Sequence, residues 1–435
     1  MPLTMIEELT AIVSKEQIVS LKEKTIYGNE GKIVVFPKTE EEIANILRYA
    51  NDRDKTVNVE GMGTKRGFGG TISEADILLS LKDYHGIVEH TVGDMTMTVK
   101  AGTPFQEIQS YLRAHNQMIP LDPSYREEAT IGGIIAANDS GPKRLGYGSA
   151  RDLVIGLRVA YPNGQVIRTG GKVVKNVAGY DMNKLFIGSM GTLGVITEIT
   201  LKLRPLPKYE SVVFVSLPRE ESERLKQFTV QLLDSYMEPK ALELLSPALS
   251  DRLLGRRALT LAIAFEDVKR AVLYQEDYVK RNKPERSELE IRGEEEATKF
   301  WHSLGALSPS PKVQQDFIAV LKVGVKNLDV FQVIKECQLF EETGLQVVAH
   351  GGVGHGLCTV YVKGSEAEIV SFVASLREAV KALGGYVVAK HLPLSLRKRI
   401  DVWGEKPAHF FLFEGIKTKI DPKRLLNRSR FVGGI

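Results

Sequence analysis

Cysteine is almost absent from this chain: of 435 residues, only Cys337 and Cys358 carry a thiol. Two such distant thiols form no CxxC pair, no Cys/His zinc cluster and no iron–sulfur ligand set. An iron–sulfur centre working with this chain must therefore sit on another one. The scarcity also suits a reducing cytoplasm, which is the expected location. Long apolar runs are missing too. No stretch reaches about 18 apolar residues, so no membrane span is expected, and any membrane attachment would be peripheral, through partners. Residues 1–24 carry Glu7, Glu8 and Glu16 and no apolar core, unlike a signal peptide. An excess of one charge is lacking as well. Lys and Arg number 58 against 54 Asp and Glu, a net charge of +4. That excess is small and scattered, which speaks against a nucleic-acid partner.

Two familiar phosphate fingerprints are also missing. A short strand candidate, 57–60, runs into Gly61-Met62-Gly63-Thr64-Lys65-Arg66-Gly67-Phe68-Gly69-Gly70. Arg66 stands where a Gly-x-Gly-x-x-Gly motif needs its last glycine, and no Gly-Lys-Ser/Thr follows at P-loop spacing. What is there still has phosphate chemistry. Gly61, Gly63, Thr64 and Lys65 bring backbone N–H groups, a hydroxyl and a cation together. The competing reading is a tight, glycine-rich turn. A second stretch of small residues tips the balance: Asp122-Pro123-Ser124, then Ala129 to Gly141 with Thr130, Ile131, Gly132, Gly133 and Asn138, then Gly146-Tyr147-Gly148. A third, Gly188-Ser189-Met190-Gly191-Thr192-Leu193-Gly194, leads into Val195 and Ile196 at the start of a strand. Small side chains let backbone approach an extended or flat ligand closely.

Hydrophobic residues make up 43%, and the length suits two or three domains. Thr39 is a helix cap, with Glu42 placed to complete a capping box and Ile43, Ile46, Leu47 and Ala50 forming an apolar stripe. Asn163-Gly164 predicts a type I′ hairpin turn. Pro205 and Pro207 mark a domain boundary. Beyond them the pattern β-α-β-β-α-β occurs twice, over 212–292 and 317–389, as two ferredoxin-like units.

The three small-residue stretches, in this order and spacing, resemble the FAD-binding domain of vanillyl-alcohol-oxidase (PCMH-type) flavoproteins. Within them the likeness is to the glycolate oxidase and D-lactate dehydrogenase branch, and most of all to its FAD-binding E subunit. Lys172-Val173-Val174-Lys175-Asn176-Val177-Ala178-Gly179-Tyr180-Asp181 and Met190 carry that last likeness. The resemblance implies an α+β fold: a two-subdomain FAD-binding domain over 1–206, an α/β substrate (cap) domain built from the two ferredoxin-like units over 207–405, and a segment returning to the flavin domain over 406–435. It implies noncovalent FAD, because the Gly61–Gly70 loop has no histidine where covalent members carry one. Gly61, Gly63, Thr64 and Lys65 would meet the pyrophosphate. Pro123, Thr130, Ile131, Gly132, Gly133 and Asn138 would line phosphate, ribose or ring. Gly141, Tyr147 and Gly148 would support the cofactor, and Val195 and Ile196 would flank the adenine. For Lys175 and Asn176 two readings stand: the flavin edge, or a packing role in a loop, since Gly170-Gly171 already marks a turn.

On the substrate side, oxidising a 2-hydroxy acid needs a base for the hydroxyl proton and a cation for the carboxylate. His350-Gly351-Gly352-Val353-Gly354-His355 occupies the place of a His-containing motif that in the catalytic subunits helps to hold a metal and the substrate. The family's second histidine falls near Leu357 here, and its later Glu-His-Gly-Ile-Gly is replaced by Val387-Val388-Ala389-Lys390-His391-Leu392-Pro393. Two readings stand side by side: a three-ligand metal site of His350, His355 and His391, or polar residues lining a degenerate pocket. Arg430, in the closing segment, is either a carboxylate or flavin contact or a solvated arginine. The expected function is an FAD-dependent glycolate or D-lactate dehydrogenase component. It would pass electrons to an iron–sulfur subunit beside a paralogous catalytic flavoprotein. The alternative is an accessory flavin subunit without turnover of its own.

Overall fold

A computed structural model describes residues 4–21, 24–172, 179–309, 318–341 and 344–435. Lys175, Asn176 and Phe317, where the second repeat is expected to begin, lie outside the described residues. The chain divides into two units. Unit 1 is Met1–Asp139, Ser149–Pro205 and Leu392–Ile435; unit 2 is Ser140–Gly148 and Leu206–His391. The return to unit 1 comes at Leu392, ahead of the expected 406. The reason is local: Leu392 N–H donates to Gly67 O at 3.0 Å, and the buried Arg397 donates to the Gly69 and Gly70 carbonyls.

Unit 1 contains two main sheets. In the four-stranded one, Glu30–Val35, Glu74–Ser80 and Val57–Glu60 run parallel and Ile18–Ser20 lies antiparallel on the edge. The helix Glu40–Asp52 makes the crossover that parallel strands require. Its apolar stripe is where the sequence puts it: Ile43, Ile46, Leu47 and Ala50 are all buried. Thr39 caps the helix, but Glu42 does not close a box. Its carboxylate instead accepts from Lys38 N–H at 2.6 Å and Gln17 Nε2 at 3.0 Å, since the chain before the cap offers those donors. The second sheet is antiparallel, in the order Ile87–Thr91, Thr96–Lys100, Val195–Lys202, Val154–Ala160, Val166–Gly170. Its hairpin at Asn163-Gly164 is not type I′, because only Gly164 takes a positive φ; Asn163 Oδ1 instead accepts from Gln165 N–H at 3.0 Å.

Unit 2 is built on one eight-stranded sheet. The first repeat orders its strands Glu288–Gly293, Tyr209–Leu217, Leu259–Asp267, Ala241–Leu245. The second runs Gln346–Gly352, Leu357–Lys363, Ala319–Gly324, Tyr386–His391. Each half has the 4-1-3-2 order of a ferredoxin-like unit, read from opposite ends. The halves therefore join through equivalent strands, Ala241–Leu245 and Gln346–Gly352, paired antiparallel. That seam positions the polar cluster described below. Among the described residues no helix is long and apolar enough to cross a membrane.

Candidate functional site

In unit 1 the three small-residue stretches converge on one cleft. Its empty space is about 760 Å³, including its open side. Gly61 to Arg66, Thr130, Gly132, Gly133, Met190, Gly191 and Gly194 to Ile196 line it, joined by Asn427 and Arg430. The first stretch leaves the parallel strand Val57–Glu60 and turns beneath the helix Ile131–Ala137. Thr130 caps that helix, accepting from Gly133 N–H at 3.3 Å. Gly61 fits only as glycine, since a Cβ there would lie 2.0 Å from Thr130 Oγ1.

The chemistry of this cleft suits a dinucleotide. The Met62, Gly63 and Thr64 N–H groups find no acceptor among the described residues. Lys65 Nζ lies 3.3 Å from Asp139 Oδ2 and 5.4 Å from the Tyr125 ring centre, contacts that fix the cation at the loop. Asn138, another predicted cofactor residue, does not line the cleft, although its Oδ1 is buried without a partner. Consecutive free N–H donors, a cation and an apolar remainder are what pyrophosphate and flat rings need.

Behind the loop, two arginines hold its carbonyls. Arg430 Nη2 donates to Lys65 O and Phe68 O, both at 2.9 Å. Arg397 Nη1 donates to Gly69 O and Gly70 O. Burial pushes the Arg430 pKa down to about 10, with Glu60 opposing and Arg66 reinforcing the shift; burial and then Arg430 push Arg397 to about 9. Both remain charged at neutral pH. Arg430 is thus not the solvated arginine of one sequence reading, because its Nε and Nη2 are committed to the loop. Glu60 and Arg66, which sequence reasoning passed over, pair at 2.6 Å in the same wall.

The other predicted cofactor residues lie elsewhere. Ile131 is fully buried in the unit 1 core and Pro123 is buried off the cleft. Gly141, Tyr147 and Gly148 belong to unit 2, where Tyr147 OH donates to Glu266 Oε2 at 2.7 Å. That carboxylate and Lys143 secure the segment there.

In unit 2, Glu243 and His350 meet across the repeat seam. Leu245 pairs with His350 and Glu243 with Gly352, so Glu243 and His350 are diagonal neighbours on one face. His350 Nδ1 lies 2.6 Å from Glu243 Oε2, and His355 Nε2 lies 3.6 Å from Oε1, beyond hydrogen-bond length. Gly352 makes room for the His355 ring, since a Cβ would sit 2.1 Å from its Cε1. Burial pushes the Glu243 carboxyl up, but the two imidazoles win and hold it below the usual carboxylate range. A carboxylate only accepts, so Nδ1–H donates to Glu243 and Nε2 is the ring nitrogen left over. Glu243 escaped the sequence reading. Its one signal was a lone carboxylate in the apolar strand Ala241-Leu242-Glu243-Leu244-Leu245.

The three-histidine site does not form. Three inter-strand steps separate the strand of His350 from that of His391, about 14 Å at the usual strand spacing. Among the described residues no group of three or more His, Cys, Asp or Glu side chains is placed to hold a metal ion. The residues present do not fit the metal that the resemblance suggested.

Comparison with known proteins agrees with the cleft. Residues 31–170 match the family model described as FAD binding domain. The chain is 28% identical to the D-lactate dehydrogenase of Archaeoglobus fulgidus over 436 residues, spanning 93% of this chain and 92% of that protein. It is 37% identical to glycolate oxidase subunit GlcE of Escherichia coli over 188 residues, spanning 43% of this chain and 51% of that one. The solved 4-ethylphenol oxidase of Gulosibacter chungangensis superposes with a TM-score of 0.74 at 15% identity, spanning 98% of this chain and 96% of that one, a likeness of fold. The chain thus carries a segment, residues 31–170, that matches an FAD binding domain, within a fold like that of the solved oxidase. By sequence it is a homologue of D-lactate dehydrogenases and glycolate oxidase subunits.

Proposed function

We propose that this protein is the FAD-dependent component of an oxidoreductase acting on the CH–OH group of a small 2-hydroxy acid, glycolate or D-lactate, and that it passes electrons to an iron–sulfur partner subunit. The single observation that carries the reading is the cleft whose orphaned loop N–H groups, cation and small residues fit FAD. The relatives are named for D-lactate and glycolate oxidation, and this chain's two cysteines leave a cluster to a partner. Met62, Gly63, Thr64 and Lys65 would hold the pyrophosphate, and the small residues of the helix Ile131–Ala137 would let the rings approach. Binding is noncovalent. Bound FAD supplies the hydride acceptor for the substrate carbon. In unit 2, His350 has its Nδ1–H held by Glu243 and keeps Nε2 as a proton acceptor, the kind of group that oxidation of a hydroxy acid calls for. Glu243 stabilises the imidazolium that results.

One observation favours a second reading, a flavin-bearing accessory subunit: His391 stands apart from His350, so the metal set of the catalytic relatives is not rebuilt. One experiment separates the two. The purified protein is mixed anaerobically with D-lactate or glycolate, and the visible flavin band is followed, with a dye acceptor for turnover. Bleaching supports the dehydrogenase; a flavin left oxidised by both acids supports the accessory role.

A further inference from the structure

We propose that Asn427 is a clasp closing the cofactor cleft, so that FAD capture and docking of the C-terminal segment are one linked event; this rests on the cleft being the FAD site. The segment lies along the strand that feeds the glycine loop. Val57 N–H donates to Leu425 O at 2.9 Å, Asn427 N–H to Val57 O at 2.9 Å, and Gly70 N–H to Ser429 O at 3.1 Å. Asn427 itself is only 2% exposed. Its Oδ1 accepts from Val59 N–H at 2.7 Å, and its Nδ2 donates to Met190 O at 2.6 Å. Val59 and Met190 both line the cleft. One carboxamide thus ties the wall of the first small-residue stretch to that of the third.

The chemistry selects asparagine. The bridge needs an acceptor and a donor on one short side chain. Aspartate keeps the acceptor and turns lone pairs toward Met190 O. Glycine at 191 leaves the room, since a Cβ there would come 2.6 Å from Asn427 Nδ2. A second buried group anchors the segment. Lys417 Nζ donates to Thr192 O at 2.7 Å, Asp421 Oδ2 at 2.7 Å and Leu426 O at 3.2 Å. Asp421 in turn accepts from Leu425 N–H at 3.1 Å and Leu426 N–H at 2.9 Å. Lys417 and Asp421 are both buried. The walls at 57–66 and 190–196 are far apart in sequence, and this segment fastens them together. A ligand touching both walls must favour the fastened state, and the fastened state must favour the ligand by the same factor.

The test uses the full-length protein stripped of flavin. FAD affinity is measured by flavin fluorescence, and the melting temperature of the apo form separately, for wild type, Asn427→Ala, Asn427→Asp and the control Lys423→Ala. Lys423 tethers the same segment at the surface, to Asn51 O at 2.7 Å. Both Asn427 variants are expected to bind FAD at least tenfold more weakly, and the control within twofold of wild type. Loss of two buried hydrogen bonds is ample for a tenfold change. A residue serving the fold alone would lower the apo melting temperature and leave the folded chain's affinity intact; that result overturns the clasp. If an Asn427 variant does not fold, wild type still decides. Saturating FAD is expected to slow carboxypeptidase release of the C-terminal residues severalfold, and equal rates with and without FAD refute the linkage. A wild-type chain that binds no FAD removes the cofactor reading and the clasp with it, whereas wild-type affinity in Asn427→Ala removes only the clasp.

Discussion

The two units build their polar centres by opposite means. In unit 1 the main chain does the work: N–H groups of 62–64 are freed because their loop is pinned from behind by Arg397 and Arg430. In unit 2 side chains do it: Glu243 and His350 come from strands more than a hundred residues apart and meet through sheet register. The first kind of site is shaped by what is missing, Cβ atoms above all. The second is shaped by charge, since a buried carboxylate persists only beside cationic or hydrogen-bonding partners. Substitutions should therefore fail differently in the two units: bulk should destroy the first, and isosteric loss of charge the second.

The largest effect expected is in unit 2. His350→Ala should lower turnover of a 2-hydroxy acid by about 10²- to 10⁴-fold, the usual worth of a general base, with the flavin spectrum unchanged. Wild-type turnover in this variant would mean that the seam is not catalytic. Next comes bulk in unit 1. Gly61→Val, with its Cβ forced to within about 2.0 Å of Thr130 Oγ1, should cost at least a hundredfold in FAD affinity. An unchanged affinity, read by equilibrium dialysis, would show that the loop has slack. Glu243→Gln preserves shape and removes the charge. We expect turnover to fall roughly 10- to 100-fold, as for loss of an orienting partner, with FAD affinity within twofold of wild type. Gly352→Ala should disturb the whole cluster, because the new Cβ would lie 2.1 Å from His355 Cε1 and 2.8 Å from Glu243 Oε1, and turnover should fall with FAD affinity unchanged.

A smaller effect tests whether unit 1 also relies on charge away from its cleft. Glu40 accepts from Arg158 Nε at 2.9 Å and Thr197 Oγ1 at 2.6 Å. Burial pushes its pKa up, but Arg158 and Thr197 hold it below the usual carboxylate range. A depressed folded-state pKa stabilises the fold above the unfolded value, and that stabilisation is lost as pH falls through the folded one. Glu40→Gln should then cost about 1–2 kcal/mol in denaturant melts at neutral pH and progressively less below pH ~4. A cost that does not shrink in acid would point to packing instead of charge.

These differences explain what could be read in the sequence. Backbone-built sites keep their signature contiguous: Gly61, Gly63, Thr64 and Lys65 could be read from their own stretch, and Thr130, Gly132, Gly133, Val195 and Ile196 through the family that the stretches resemble, and all nine line the cleft. The two ferredoxin-like repeats were legible because alternating strand and helix periods survive without residue identity. The seam was not legible. Glu243 becomes a partner of His350 only through the register of Ala241–Leu245 against Gln346–Gly352, which no local motif encodes. His391 failed as a ligand for the same reason: sequence order put it near His350, and strand order put it three strands away. Tyr147 looked like part of the cofactor stretch, yet its short segment is held by Glu266.

The central claim is that the glycine-lined cleft of unit 1 holds FAD without a covalent bond. The visible absorption of the purified, full-length protein tests it, before and after acid precipitation. We predict a yellow protein, reconstitutable if isolated without cofactor, whose flavin passes quantitatively into the supernatant as FAD. A folded protein that stays colourless after incubation with FAD would contradict the account, and a flavin that remained with the pellet would contradict its noncovalent part.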